Sequence, residues 1–572
     1  MTSESLLAGL DDEQRVAAEA LLGPVCLLAG AGTGKTRAIT HRVAYGVATG
    51  VYPPSRVMAL TFTSRAAGEL RGRLRELGAG GVSARTFHAS ALSQLGFFWP
   101  QVIGGTMPRI LESKGRLIAH AAESLRLKLD TPTLRDLAAE IEWRKVSRLT
   151  LDDYAAKVVD RPIPDSLDVE RMVALHAAYE AVKDERRQLD FEDVLLATAG
   201  MLETEPWVAQ QVREQYRFFV VDEYQDVSPL QQSLLELWLG DRQDLCVVGD
   251  ASQTIYSFAG ATSDLLMSFP ARYPAATVVR LEQNYRSTPE IVETANRLMR
   301  ERTGSLTLRV AVATAPGPGT ADPLSIMRYR DDRAEARAVA NQIAEQVEAG
   351  TRPQDIAVLY RINVQGALLE ASLGDAGVPY QLRGGKRFFD LPEVKQALLM
   401  LKGASVGGTV EPLFKTVSDV LRSLGWTQTA PEARGAVRDR WESLNAIMGL
   451  AEEAAVGTTV RQFSDDLYER AAGQHEPTMD AVTLATIHSA KGLEWESVFV
   501  VGLSEGLVPI SYAKSAAAID EERRLLYVAI TRARRRLHLS FAESAPKRQA
   551  PRQPSRFLEE LRSRTPGAPA TT

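Results

Sequence analysis

The run Ala29-Gly30-Ala31-Gly32-Thr33-Gly34-Lys35-Thr36 sets glycines, one lysine and one hydroxyl at a spacing suited to holding a polyphosphate. Glycines let successive backbone amides turn inward around phosphate oxygens, Lys35 reaches the β and γ oxygens, and the Thr36 hydroxyl can hold Mg2+. Ala29 stands where the strict pattern has glycine. A second patch is Phe218-Phe-Val-Val-Asp222-Glu223-Tyr-Gln-Asp226, where apolar residues lead directly into adjacent carboxylates. Asp222 is placed to join a Mg2+ shell, and Glu223 to polarise an attacking water as general base. Gln253, in Val248-Gly-Asp-Ala-Ser-Gln253, is a candidate to touch a γ-phosphate and sense hydrolysis. A glycine-rich turn with a chance lysine, or a lone surface glutamine, is commonplace; the matching acidic strand end is what makes the combination informative.

These groups need strands to deliver them to one edge. Short apolar runs at Val25–Leu28, Val57–Leu60, Phe218–Val221 and Leu245–Val248 have the character of strands buried on both faces of a parallel sheet. A second series at Leu324–Met327, Ile356–Leu359, Val498–Val501 and Leu537–Ser540 predicts a second sheet of the same kind. Asp332 is expected to cap a helix running toward Gly350. Residues 89–188 and 396–481, rich in Ala, Leu, Glu and Arg, interrupt the two series and read as helical insertions. The stretch PGPGTADP from Pro316 reads as a surface connector, and the tails PKRQAPRQP and TPGAPATT as too polar and proline-rich to pack.

Composition sets limits. A chain of 572 residues needs several domains, and its 45% hydrophobic content is ordinary for globular protein. A net charge of −5 argues against a surface coated in positive charge, while leaving room for a local basic groove. Cys26 and Cys246, each inside an apolar run, read as small core residues, so zinc and iron–sulfur clusters are not expected. The acidic start MTSESLLAGLDDEQ lacks the features of a signal peptide and no run is long enough to span a membrane, which makes a cytoplasmic, nucleoid-associated protein the expectation.

From Leu10 to about Leu561 the chain resembles the UvrD/Rep/PcrA group of superfamily 1 DNA helicases, because many separate motifs occur in that family's order. They are LDDEQ with Gln14, the phosphate loop, TFTSRAAGEL with Phe62 and Thr63, ARTFH with Thr86 and His88, LDFED from Leu189, VDEYQD, and VVGDASQTIYSFAGA. LEQNYRSTPEIV, IAVLYRINVQ, GGKRFF from Gly384, TIHSAKGLEW and LLYVAITRA follow. The resemblance implies two RecA-like parallel-sheet core domains that sandwich ATP, each with a mainly helical insertion. It places the first core at 1–88 and 189–280, its insertion at 89–188, the second core at 281–395 and 482–562, a reduced insertion at 396–481, and a disordered tail at 563–572.

By the same resemblance, Gln14 and Tyr285 recognise adenine; Arg37, Gly492 and Glu494 bind nucleotide; and Arg286 and Arg532 reach the γ-phosphate. Guanidinium suits that task because it stays charged and offers forked donors. Phe62, Thr63, Thr86, His88, Tyr256, Phe258, Arg361 and His488 are the implied DNA contacts, the aromatics acting as stacking platforms. One departure is Phe258-Ala259-Gly260, where relatives have Trp-Arg-Gly. Another is the reduced second insertion, which lacks the family's glycine-isoleucine-glycine duplex loop; Trp426 and Trp441 there read as core anchors.

The implied activity is ATP- and Mg2+-dependent 3′ to 5′ DNA helicase action in repair, replication or recombination. Expected partners are single-stranded DNA, 3′-tailed duplex and a repair protein that assists unwinding, with a monomer in solution and no membrane. A translocase that displaces proteins but unwinds poorly uses the same motifs, whereas a nucleotide-switched scaffold does not need the full hydrolytic set. No fused nuclease is expected after Leu561. Lys35→Ala should abolish ATP turnover while leaving single-stranded DNA binding largely intact; normal turnover in a folded variant is the contrary outcome, read by phosphate release and fluorescence anisotropy.

Overall fold

A computed structural model describes residues 2–111, 113–158, 161, 163–164, 167–311, 323–383, 389, 391–406, 412–429, 431, 436–455, 457–472, 481–544 and 551–562. The connector from Pro316, the run from Gly384 apart from Phe389, most of PKRQAPRQP and the tail from 563 lie outside the described residues. The chain forms two compact units, Met1–Tyr285 with Glu301–Ala311, and Arg286–Arg300 with Val312–Thr572. Residues 281–285 and 301–311, expected in the second core, therefore pack with the first.

The first unit is built on strands β1 (Val25–Ala29), β2 (Val57–Thr61), β3 (Ser83–Thr86), β4 (Phe218–Val221), β5 (Leu245–Gly249) and β6 (Thr277–Leu281), ordered β3-β2-β4-β5-β1-β6. Every pairing is parallel. Side chains alternate between two cores: Cys26, Leu60, Phe219 and Val247 enter one, and Leu27, Ala59, Val220 and Cys246 the other. Both faces are covered, so the strands read as continuous apolar runs. The same alternation puts the two buried, free cysteines on opposite faces, away from any disulfide. Strands β3 and β6 were not foreseen, because their edge positions leave a mixed pattern with exposed residues such as Arg85 and Arg280.

Helix Phe87–Val102 buries Ala91, Leu95, Phe98 and Trp99 in the sheet core, so residues 89–102 belong to the core and the insertion starts later than position 89. The insertion proper has its own core around Ile118, Ile141, Tyr154, Leu175 and Tyr179. Its helices are Gly115–Ser124, Thr131–Val146, Leu151–Lys157 and Val169–Glu185. It is closed by a two-residue parallel ladder pairing Arg109–Ile110 with Gln188–Leu189.

A buried ionic cluster fastens it. Lys145 lies 2.7 Å from both Asp190 and Asp193, Lys183 pairs with Asp193, and the Tyr179 hydroxyl donates to Asp190 at 2.9 Å. Burial alone would raise the Asp190 carboxyl, but the two ammonium groups outweigh it and hold it well below the usual carboxylate range.

The second unit repeats the plan with β7 (Leu324–Asp331), β8 (Ile356–Tyr360), β9 (Tyr380–Arg383), β10 (Val482–Thr486), β11 (Trp495–Val500) and β12 (Ala533–Ser544), ordered β7-β12-β11-β8-β10-β9 and all parallel. Helix Asp332–Glu348 is capped by Asp331, which accepts from the Ala334 amide at 2.8 Å. Asp332, expected as the cap, sits one residue inside, where its carboxylate pairs with Arg552. The second insertion packs helices Pro392–Val406, Leu413–Ser423, Ala436–Glu453 and Val460–Ala472 around Leu401, Leu421, Leu444 and Leu467. Trp426 is buried there and donates to Asn445 at 3.1 Å, while Trp441 packs against the cluster and donates to the Thr427 carbonyl at 2.8 Å. Among the described residues, no helix is long and apolar enough to cross a membrane.

His176, fully buried in the first insertion and stacked on Tyr154 at 4.5 Å, has no hydrogen-bond partner at either ring nitrogen among the described residues. Burial, aided by Arg144, depresses its pKa from 6.5 to about 3. Because the folded pKa is the lower one, its contribution to stability is complete above pH 6.5 and is lost as the pH falls toward 3. His176→Phe should therefore flatten the fall in thermal midpoint between pH 7 and about pH 4.5; equal acid sensitivity in the variant would contradict this.

Candidate nucleotide and nucleic-acid sites

The parallel sheet brings the separated motifs of the first unit to one edge. The glycine loop follows β1, Phe62 and Thr63 follow β2, Thr86 ends β3, Asp222 and Glu223 follow β4, and Asp250 follows β5. All leave the carboxyl ends of parallel strands, where ligands of open α/β sheets bind.

The loop opens into helix Lys35–Ala48, whose N-cap, Gly34, has φ 78° and provides no side-chain cap. No acidic residue occupies the first turn. Gly34 thus offers the first amides of the helix no side-chain oxygen, and the helix dipole favours an anion there. The buried Lys35 ammonium has no hydrogen-bond partner among the described residues, and Glu223 Oε1 is 3.6 Å away. A desolvated cation beside uncapped helix amides fits a phosphate group.

Close approach explains two glycines. A Cβ at Gly30 would stand 2.3 Å from Leu308, and one at Gly34 would stand 2.7 Å from Gln14 Nε2. Gln14 is buried, with Nε2 donating to the Thr33 carbonyl at 3.0 Å. Tyr285 joins the same loop through its amide, 2.9 Å from the Gly32 carbonyl, and its hydroxyl donates to Asp11 at 2.5 Å. Arg37 donates to the Gly9 carbonyl at 2.6 Å, and Ala31 accepts from Asn284 at 2.8 Å. Ala29 is fully buried in β1, and Thr36 lies in the first turn of the helix.

At the end of β4 the Asp222 carboxylate accepts from the Glu223 amide at 3.0 Å. Glu223 has φ 55°, a left-handed conformation that costs a non-glycine residue about 1–2 kcal/mol. Gln253 is buried and donates to Asp250 at 2.8 Å. Among the described residues no cluster of three or more His, Cys, Asp or Glu side chains could hold a metal by itself. A Mg2+ shell here would have to combine Thr36 and Asp222 with phosphate oxygens, which suits this hard and reluctantly dehydrated ion.

The expected stacking residues meet. Phe62 lies parallel to Tyr256 at 5.3 Å and 15°, and Tyr256 meets Phe258 edge-on at 5.9 Å. Phe62 and Phe258 are 45% and 58% exposed, which leaves aromatic faces open to solvent. Thr63 and Thr86 accept from the amides of Ala66 and Ala89, so both hydroxyls act as helix caps. Burial, with Lys114 nearby, lowers His88 to about 4, so it is neutral at pH 7 and offers no cation.

Sequence reasoning missed Phe191, which meets His88 edge-on at 5.9 Å yet is 51% exposed. The signal available was a large apolar residue directly after the capping aspartate of LDFED. Phe191 also borders a cavity of about 620 Å3 whose rim includes Lys114, Arg116 and Arg135.

In the second unit, Arg286 Nε pairs with Glu494 at 2.5 Å, and the same carboxylate pairs with Arg534, which sequence reasoning did not single out. Burial weakens the Arg286 proton affinity, and Glu494 opposes that loss. Arg532 is buried and donates to the carbonyls of Val528 and Leu493 at 2.9 and 3.1 Å. Gly492 has φ 79°. Arg361 forks onto Glu522 at 2.8 and 3.1 Å, so its charge is matched by a carboxylate of the same unit. Burial, Arg361 and Lys491 lower His488 to about 3, so it too is uncharged at neutral pH.

Residues 10–274 match the UvrD/REP helicase N-terminal domain, and residues 279–405 and 413–544 match the UvrD-like helicase C-terminal domain. The chain belongs to the UvrD/Rep helicase family. Over its whole length it is 46% identical to the ATP-dependent DNA helicase UvrD2 of Mycobacterium tuberculosis, covering 84% of that protein. It is 30% identical to DNA helicase II of Escherichia coli K12, with 97% of this chain and 88% of the relative aligned. The ATP-dependent DNA helicase PcrA of Leuconostoc citreum is 28% identical over 98% of this chain and 86% of its own. The first six-stranded sheet lies almost entirely within the N-terminal match and the second within the C-terminal match.

The loop geometry yields a test of its own. Gly30→Ala should weaken ATP binding about tenfold or more by driving a methyl into Leu308, and Leu308→Ala in the same chain should restore much of the loss. Additive losses in the double variant, measured with a fluorescent nucleotide, would show that the contact is not the cause.

Proposed function

We propose that this chain is an ATP-dependent DNA helicase that moves 3′ to 5′ along single-stranded DNA. The observation that carries this reading is the joint placement, at one edge of one sheet, of an orphaned lysine in an uncapped phosphate loop and an open aromatic ladder. Nucleotide chemistry and base stacking are thus joined by five short strand ends, a distance over which small shifts can be transmitted.

In the reaction proposed, Lys35 and the loop amides hold the β and γ phosphates, and Gln14, Arg37 and Tyr285 border the nucleoside. Mg2+ bound at Thr36 and Asp222 would neutralise phosphate charge. Glu223 accepts a proton from the attacking water as its oxygen bonds to the γ phosphorus and the bond to the β-phosphate oxygen breaks, giving ADP and phosphate. Gln253 reads the γ position. For Arg286 and Arg532 a role at the γ-phosphate, and for Glu494 a role in nucleotide binding, rest on the family resemblance alone. Phe62, Tyr256 and Phe258 provide sequence-tolerant stacking, each base worth about 1–3 kcal/mol. Direction of travel, a monomeric state, a repair partner and a cytoplasmic address extend this reading from the family.

A second reading, a translocase with weak unwinding, is supported by the Phe258-Ala259-Gly260 platform and the small second insertion closed around its own tryptophans. Strand separation on duplexes with a 3′ tail, a 5′ tail or no tail, beside translocation on one preparation, separates the two. Selective opening of the 3′-tailed duplex supports the helicase; brisk translocation without opening supports the translocase. Glu223→Gln should retain Mg-ATP binding and lose about 100-fold or more in hydrolysis. Loss of nucleotide binding instead would overturn the division of labour between the two carboxylates.

A further inference from the structure

Gln225 is fully buried between the ends of β4 and β5. Its Oε1 accepts from the Asp250 amide at 3.1 Å, and its Nε2 donates to Glu223 Oε2 at 2.5 Å. The orientation of this side chain follows from chemistry: a backbone N–H can only donate, so the Gln225 carbonyl must face Asp250 and its NH2 must face Glu223. Space for it is made by Gly249, where a Cβ would stand 2.6 Å from Gln225 Oε1 and 3.3 Å from Gln225 N.

The chain of contacts continues at both ends. The Asp250 carboxylate accepts from Gln253 Nε2 at 2.8 Å and from the Ser252 amide at 2.9 Å, and Tyr256 of the aromatic ladder follows three residues after Gln253. At the other end, Glu223 Oε1 faces Lys35 while Oε2 is held by Gln225. Glu223 is in a left-handed conformation, and these two contacts fix the direction of its carboxylate.

We propose that Gln225 is a positioning residue that aims the Glu223 carboxylate and links its direction to the Asp250–Gln253 segment, so that DNA stimulation of hydrolysis passes through it. This rests on the reading of Glu223 as general base. When DNA seats against the ladder and shifts Tyr256, the segment beginning at Asp250 moves, and Gln225 carries that shift to the base through two direct hydrogen bonds. Because the donor is a neutral amide, it orients the carboxylate without the full charge that would strip it of basicity.

Two variants test the link in the full chain, with ATP turnover measured with and without single-stranded DNA. Gln225→Met keeps the volume and removes the donor; turnover with DNA should fall about tenfold and the stimulation ratio should shrink, while KM for ATP stays within about twofold. Gln225→Glu keeps the acceptor for Asp250 but sets a second carboxylate against Glu223 in place of the donor, so it too should lose DNA stimulation with KM for ATP held within about twofold. A packing role alone does not split turnover from KM in this way. Unchanged stimulation in a folded Gln225→Met or Gln225→Glu protein overturns the proposal; if the methionine variant fails to fold, the glutamate variant decides. Glu223→Gln is run in parallel. Normal turnover there removes the general base itself, whereas an inactive Glu223→Gln beside wild-type behaviour at position 225 removes only the link.

Discussion

The parallel alignment of the six strands in the first unit is the constraint on which its chemistry depends. Parallel pairing points every strand the same way, so five chain segments far apart in sequence all emerge at one edge. An antiparallel arrangement would scatter them between two edges. The pairing in turn requires both faces to be buried, which is why Phe218–Val221 and Leu245–Gly249 are apolar throughout and why helices must cover each side.

Burial of charge is the second recurring theme. The Lys35 ammonium is desolvated beside the Glu223 carboxylate and has no hydrogen-bond partner among the described residues, an arrangement that favours an incoming anion. Lys145 and Lys183 are buried more deeply, yet each is matched by Asp190, Asp193 and Glu180, and that match makes their cluster a fastening for the first insertion. Arg361 with Glu522 in the second unit belongs to this matched kind. The difference between a cation that awaits a ligand and one that holds the fold lies in the carboxylates around it, since the residue types are the same.

A hydrogen-bonded line runs from Gln253 through Asp250 and Gln225 to Glu223, whose other oxygen faces Lys35 of the phosphate loop at 3.6 Å. Short polar connections of this kind are stiff because a buried donor or acceptor left unpaired costs about 1–3 kcal/mol. Gly249, by leaving out a side chain, lets that line pass between two adjacent strands.

Much of this was legible in the sequence. Eight apolar runs became strands, the glycine loop and the carboxylate pair took their expected places, and Phe62, Tyr256 and Phe258 met as a platform. Local patterning determined these features, because strand burial and loop chemistry are written in neighbouring residues. What only tertiary structure decided depends on partners distant in the chain. The ion pair of Arg361 with Glu522 joins residues far apart in the chain, and residues 89–102 read as insertion until helix Phe87–Val102 buried its apolar face on the sheet. Asp332 lost the cap to Asp331, because cap geometry turns on one residue of backbone conformation where the strand ends. Phe191 and Gln225 were visible as letters within motifs. Their surroundings, one exposed beside a neutral histidine and one buried between two strand ends, arise only when parallel pairing brings separate segments together, because a side chain's exposure, charge state and partners belong to the space around it.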